Sequence, residues 1–165
     1  MADAGLPTLT AHHVGIVVTD LEAAMNACIR DFGYSFYQFE VNDGTASLPG
    51  SSPTFSLRFG LGQLGVTLIE LIQPVSGATI YSKRLADCGP GLHHLAFSTT
   101  DLAAARKGFA ANGYTSLQNG SIRGLVDFSY YEAQELGCIV DPLQLSCDLA
   151  GFLLQNAKPY RQTSA

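Results

Sequence analysis

Residues 12–24 read HHVGIVVTDLEAA, and residues 93–105 read HHLAFSTTDLAAA. The two stretches agree at both histidines, at the Thr-Asp-Leu triplets 19–21 and 100–102, and at the alanines Ala23/Ala24 and Ala104/Ala105. After a one-residue slip the echo resumes as Gly33-Tyr34 and Gly113-Tyr114, then Gln38 and Gln118. The two His-His pairs hold all four histidines of the 165-residue chain. A repeat that keeps a metal-ligand residue type in both copies points to one site built from two half-modules.

Working outward, each copy opens a βαβββ unit. In the first, residues 12–18 form a short β-rich run. Thr19-Asp20-Leu21-Glu22 then has the spacing of a helix cap. Leu21, Ala24, Cys28 and Phe32 follow at helical spacing, and Gly33 stands where a C-terminal cap belongs. Strands are expected at about 35–41, 54–60 and 65–73, separated by Gly-, Asn- and Pro-rich turns. The second unit repeats the order: a strand over 92–98, a helix over 101–112, and strands near 114–118, 125–132 and 138–145. The whole reads as one α+β domain over residues 1–165. It comprises module 10–74, connector 75–91 with a short helix over Ile80–Cys88, module 92–146 and tail 147–165. The tail carries an apolar stretch, Leu149–Leu154, and then frays. Two tandem βαβββ modules are expected to form one cupped mixed sheet around the site.

Composition narrows the function classes. Hydrophobic residues make up 47% and charged residues 14%, which describes a packed globular protein. A net charge of −5 without any Lys/Arg cluster argues against nucleic acid and anionic membranes as partners. Cys28, Cys88, Cys138 and Cys147 show no Cys-x-x-Cys spacing, so reduced thiols and a cytoplasmic location are expected. Neither a secretory signal nor a membrane-spanning run is legible. Two four-stranded sheets leave open edges, so a homodimer is expected.

Alternation along a strand assigns the rings. His12 shares a face with Val14, Ile16 and Val18, suited to packing under the helix, whereas His13 shares its face with Gly15 and Val17. His93 goes with Leu95 and Phe97, and His94 with Ala96 and Ser98. The roomier faces make His13 and His94 the candidate ligands and leave His12 and His93 structural. Glu70 lies amid apolar residues in VTLIELIQP (66–74), and Asp141 similarly in GCIVDPLQL (137–145). A carboxylate in such a strand is costly unless it is paired or metal-bound. The candidate set is His13, Glu70, His94 and Asp141, holding one divalent Fe, Co, Ni, Mn or Zn. Ser56, Arg58, Asp127, Ser129 and Tyr131 alternate with apolar neighbours and are candidates for the pocket wall.

These fragments, with GPGLHHLAF at 89–97, resemble the vicinal oxygen chelate superfamily, which includes glyoxalase I, methylmalonyl-CoA epimerase, extradiol dioxygenases and bleomycin- or fosfomycin-resistance proteins. The resemblance covers residues 10–146 and is nearest to the epimerase-like and glyoxalase branch. It implies metal ligands of the order His, Glu or Gln, His, Glu. These match His13, Glu70, His94 and, one methylene shorter, Asp141. The epimerases' catalytic Glu on the third strand of module one has no counterpart in TFSLRFG (54–60).

The resemblance implies a metal-dependent isomerase, epimerase or lyase that acts alpha to the carbonyl of a small molecule through an enolate. Glu70 and Asp141 are then the candidate catalytic carboxylates. A non-haem iron extradiol-type dioxygenase is the alternative, with Asp141 as the carboxylate ligand. A non-catalytic small-molecule binder is the third class.

Overall fold

The computed structural model describes residues 5–161. Module one contains β1 (Thr10–Val17), α1 (Leu21–Phe32), β2 (Ser35–Asn42), β3 (Ala46–Ser47), β4 (Ser56–Leu64) and β5 (Thr67–Ser76). The connector forms α2 (Ile80–Cys88). Module two contains β6 (Gly91–Ser98), α3 (Leu102–Ala111), β7 (Ser116–Ile122), β8 (Val126–Ala133) and β9 (Cys138–Leu145). The tail adds α4 (Leu149–Asn156) and β10 (Lys158–Tyr160).

The repeat shows in how the two long module helices begin. The Asp20 carboxylate accepts from Ala23 N–H at 3.0 Å, and the Asp101 carboxylate accepts from Ala104 N–H at 2.8 Å. Each satisfies one of the free amides of a first helical turn. A second tie is symmetric as well. Leu21 N–H donates to the Gln73 side chain at 3.2 Å, and Leu102 N–H donates to that of Gln144 at 3.0 Å. Each glutamine follows its strand's acid by three residues, Glu70 to Gln73 and Asp141 to Gln144. The strands bearing the candidate carboxylates are thereby fixed to the helix starts.

All ten strands form one sheet in the order β10-β2-β4-β5-β1-β6-β9-β8-β7-β3. Within the modules β1 pairs parallel with β5, and β6 pairs parallel with β9. The modules join through antiparallel β1 and β6. The inner edges, one ground for expecting a homodimer, thus pair with each other. The outer edges carry short β10 on β2 and β3 on β7. Neither short strand is legible in the sequence, and β10 lies in the part of the tail expected to fray.

The sheet buries both faces. On the outer face α1 sets Leu21 and Met25 against Phe36 and Leu71, and α3 sets Phe109 against Tyr131, Ala133 and Val140. The inner face presents Val17, Leu57, Phe59, Ile72, Phe128, Tyr130 and Leu143, covered by Tyr81 from α2 and Phe152 from α4. The larger apolar cluster therefore lies inside the cup. Among the described residues, no helix is long and apolar enough to cross a membrane. All four cysteines are unpaired.

Candidate metal centre

The four candidate ligands form two rows across adjacent strands. Gly15 on β1 pairs with Glu70 on β5 and with His94 on β6. Ala96 on β6 pairs with His13 on β1 and with Asp141 on β9. Each row therefore sets a small residue between two potential ligands, and Gly15 and Ala96 each lie two places after a candidate histidine. At Gly15 the small size is obligatory, because the His94 ring lies where a β-carbon would stand.

Both His-His pairs sit on β-bulges. Along β1 the pairing with β6 passes from Ala11 to His13 and skips His12, and along β6 it passes from His94 to Leu92 and skips His93. A bulge suspends strict alternation, so neighbouring side chains can lie on one side of the strand. The rings of each pair accordingly meet. His12 Nδ1 and His13 Nδ1 are 2.7 Å apart, and His93 Nδ1 and His94 Nδ1 are 2.9 Å apart. Strict alternation had assigned His12 and His93 to the opposite face. His93 instead lies beside Tyr81 and Tyr130 in the cup, and both histidines contact the rings expected to ligate.

The far nitrogens converge. His13 Nε2 lies 3.0 Å from His94 Nε2, and Glu70 Oε2 lies 3.4 Å from His13 Nε2 and 3.6 Å from His94 Nε2. These three residues form the one group among the described residues whose ligand atoms gather closely enough to hold a metal ion. Donors about 2.1 Å from a shared cation stand roughly 3.0–3.4 Å apart at ordinary coordination angles. With bare Nε2 atoms at the centre, each Nδ1 carries the proton and donates to the neighbouring histidine. That is the outer support a ligating imidazole requires.

Asp141 stands beside the trio and outside its close grouping. Its side chain is buried, and Oδ1 has no hydrogen-bond partner. Burial pushes its carboxyl up to about 8; His13 and the Ser129 backbone pull down, and Glu70 pushes further up. Burial lowers His94 well below the ordinary range, with His13 and His93 adding to that effect. At His13 burial also disfavours charge, but Glu70, by charge and hydrogen bond, and Asp141 outweigh it and raise the pKa. The centre thus draws positive charge to itself. With a cation bound, two neutral imidazoles and two ionised carboxylates would sum to about −2, the complement of a divalent ion. The donor set, its spacing and the orphaned Asp141 oxygen fit such an ion.

A family model for the glyoxalase/bleomycin resistance protein/dioxygenase superfamily matches residues 12–130. The chain belongs to that superfamily. Among solved structures it is similar to methylmalonyl-CoA epimerase from Mycobacterium tuberculosis, at 22% identity and TM-score 0.68 over 92% of this chain and 96% of that one. A Streptomyces coelicolor methylmalonyl-CoA epimerase variant in complex with 2-nitronate-propionyl-CoA matches at 22% identity and TM-score 0.66, over 85% and 100%. A Bacillus halodurans hypothetical protein matches at 17% and 0.65, over 86% and 97%. At these identities the likeness is one of fold. No curated protein sequence matches the chain.

Within this superfamily fold the expected pocket-wall residues lie elsewhere. Arg58 pairs with Glu22 of α1 at 2.9 Å, and Ser56 shares its face of β4. The Ser129 hydroxyl accepts from Arg106 of α3 at 2.7 Å, and Tyr131 stacks on Phe109 at 4.7 Å. Asp127 is exposed in the same phase of β8. All five belong to the outer face, a correction with a plain cause. The cup takes the apolar alternates Leu57, Phe59, Phe128 and Tyr130 as core, which leaves the polar ones for the helices and solvent. Tyr130, which lies 5.3 Å from the His94 ring, is a cup residue that the polar-inward assumption passed over.

Proposed function

We propose that the chain is a metal-dependent isomerase or epimerase that moves a proton on the carbon alpha to the carbonyl of a small molecule. The observation that carries this reading is the convergence of His13 Nε2, His94 Nε2 and Glu70 Oε2 beside the unpartnered Asp141 carboxylate. These residues would hold one divalent cation. When bound, it would supply Lewis-acid stabilisation for negative charge developing on a carbonyl oxygen.

The chain's own groups account for the rest. With the cation bound, His12 and His93 would accept from Nδ1 of His13 and His94 and so hold the ligand rings in the tautomer that leaves Nε2 bare. The aromatic cup of Phe59, Tyr81 and Tyr130 limits water and strengthens electrostatic interactions within it. The inner face of β4 offers Leu57 and Phe59 and no carboxylate, so the base would be Glu70 or Asp141 released from the cation, or a substrate-bound water. Asp141, buried and with its carboxyl raised by that burial, is suited to holding a proton. The methylmalonyl thioester of the epimerase neighbours is not carried over, because the strand that should bear the extra Glu lacks it.

The trio by itself is two histidines and one carboxylate, a set that also serves iron-dependent dioxygenases. One experiment separates the two readings. Carbonyl substrates are incubated anaerobically in deuterium oxide with metal-loaded protein. Deuterium entering at the alpha carbon, and only with metal present, is expected. No exchange there, together with stoichiometric oxygen uptake in a parallel aerobic incubation, would establish the dioxygenase instead.

A further inference from the structure

A cavity of about 830 Å³ lies between α2 and the strands of module two. This is the volume of an ordinary small-molecule site. Its apolar lining comes from Ile80 of α2, Leu92 of β6, Leu117 of β7 and Ile139 of β9. Leu92 and Leu117 are 39% and 43% exposed, so the cavity holds apolar surface in water that the body of a ligand would cover.

Four charged side chains share this lining, Lys83, Arg84 and Asp87 of α2 and Glu132 of β8. Lys83 pairs with Asp87 one turn along the helix. Arg84 donates to the Gly89 and Leu92 carbonyls at 2.8 and 3.3 Å, and so ties the end of α2 to the start of β6. Of the four, Glu132 alone has neither an ion pair nor a side-chain hydrogen bond among the described residues. Glu132 is exposed, so its carboxylate is open to a ligand. Its place in the sheet is fixed by register, since Ile139 pairs with His94 on one side and with Glu132 on the other. Register partners share a face, and adjacent strands lie about 4.8 Å apart, so Glu132 stands about 10 Å along the sheet from His94. The cavity is thus a neighbour of the metal centre that uses none of its candidate ligands.

We propose that this cavity binds a small organic cation, a primary amine on an apolar chain, with the ammonium group on Glu132 and the chain over Leu92, Leu117 and Ile139. A neutral ligand would leave the one unpartnered charge of the lining unmet. An anionic ligand would face Glu132 and compete for cations that the protein already engages. The net charge of −5 on the chain adds a longer-range attraction for a cation.

The test titrates the full chain with hexylamine, 1-hexanol and hexanoate at low salt and pH 7, where a primary alkylamine is charged as a lysine is. Binding is followed by nuclear magnetic resonance of backbone amides. Hexylamine is expected to shift signals from α2, β6, β8 and β9 and to bind about threefold more tightly than 1-hexanol, the worth of one exposed ion pair. Hexanoate should bind most weakly, and added salt should shrink the preference for the amine. Glu132→Gln, at an exposed position, should fold as wild type and bind amine and alcohol equally. Failure of hexylamine to bind, shifts confined elsewhere, equal affinity for amine and alcohol in wild type, a preference for hexanoate, or an amine preference that survives Glu132→Gln would overturn the proposal. A chain that takes up no metal would overturn the metal reading instead, and the Glu132 comparison would still be read on it.

Discussion

Gly15 is the residue on which the centre's geometry turns, since Glu70 and His94 flank it and the His94 ring occupies the space a side chain would need. Gly15→Ala should therefore displace His94 and cost at least about tenfold in metal affinity, a loss comparable to removing outer support. Calorimetric metal titration of the folded variant checks this, and wild-type affinity would contradict it. His12→Phe keeps a ring but loses the nitrogen at His13, with about 10–100-fold weaker binding expected by the same method. The acid side carries a pH signature in metal-free protein. The Asp141 carboxyl is raised from 3.8 to about 8, so its contribution to stability is full below the lower value and is lost as pH rises towards the upper one. His12 and His93, lowered from 6.5 to about 4 and about 3, have the opposite sense, with stability lost as pH falls below 6.5. Above 6.5, where His12 and His93 are neutral in both states, Asp141 should make metal-free stability fall by at most about 1.4 kcal/mol per pH unit, and the raised His13 adds a fall of the same sense. Urea denaturation of Asp141→Asn should show a flatter profile, and an unchanged slope would refute the assignment. The four candidate residues were legible because the repeat and the isolated acids are properties of the sequence. The ring contacts of His12 and His93 were not, because a bulge is set by pairing with another strand.

Among the elements, helices and long strands followed the periodicity closely, because caps such as Asp20 and Gly33 and alternating apolar runs are local signals. β7 is the instructive miss. It was expected to end by 118 before Asn119-Gly120, yet it runs to Ile122 because the Phe128 ring packs over Gly120, where a β-carbon would overlap it. The faces of β4 and β8 were read in reverse. Alternation reveals that two faces differ, but a sheet buried on both sides does not say which face holds the site. In the tail, Phe152 of α4 meets Phe39 edge-on at 5.3 Å inside the cup. Phe152→Ala should destabilise the fold by about 3–5 kcal/mol, as measured by chemical denaturation, and a change below about 1 kcal/mol would show that α4 is not part of the cup.

At the scale of the whole molecule, pairing of β1 with β6 brings the candidate ligands of both modules together within one chain. Mixing His13→Ala with His94→Ala protein should therefore restore no metal binding, whereas recovery would mean that copies share their modules. Membership in the superfamily and the single curled sheet make a metal centre between the modules the expected functional core. The most direct measurement is metal per chain, by elemental analysis after loading and desalting, for wild type and for folded Glu70→Ala and His94→Ala variants. The account predicts about one divalent ion per wild-type chain and a small fraction of that in either variant. A wild-type chain that retains no metal, or variants that retain as much as wild type, would contradict it.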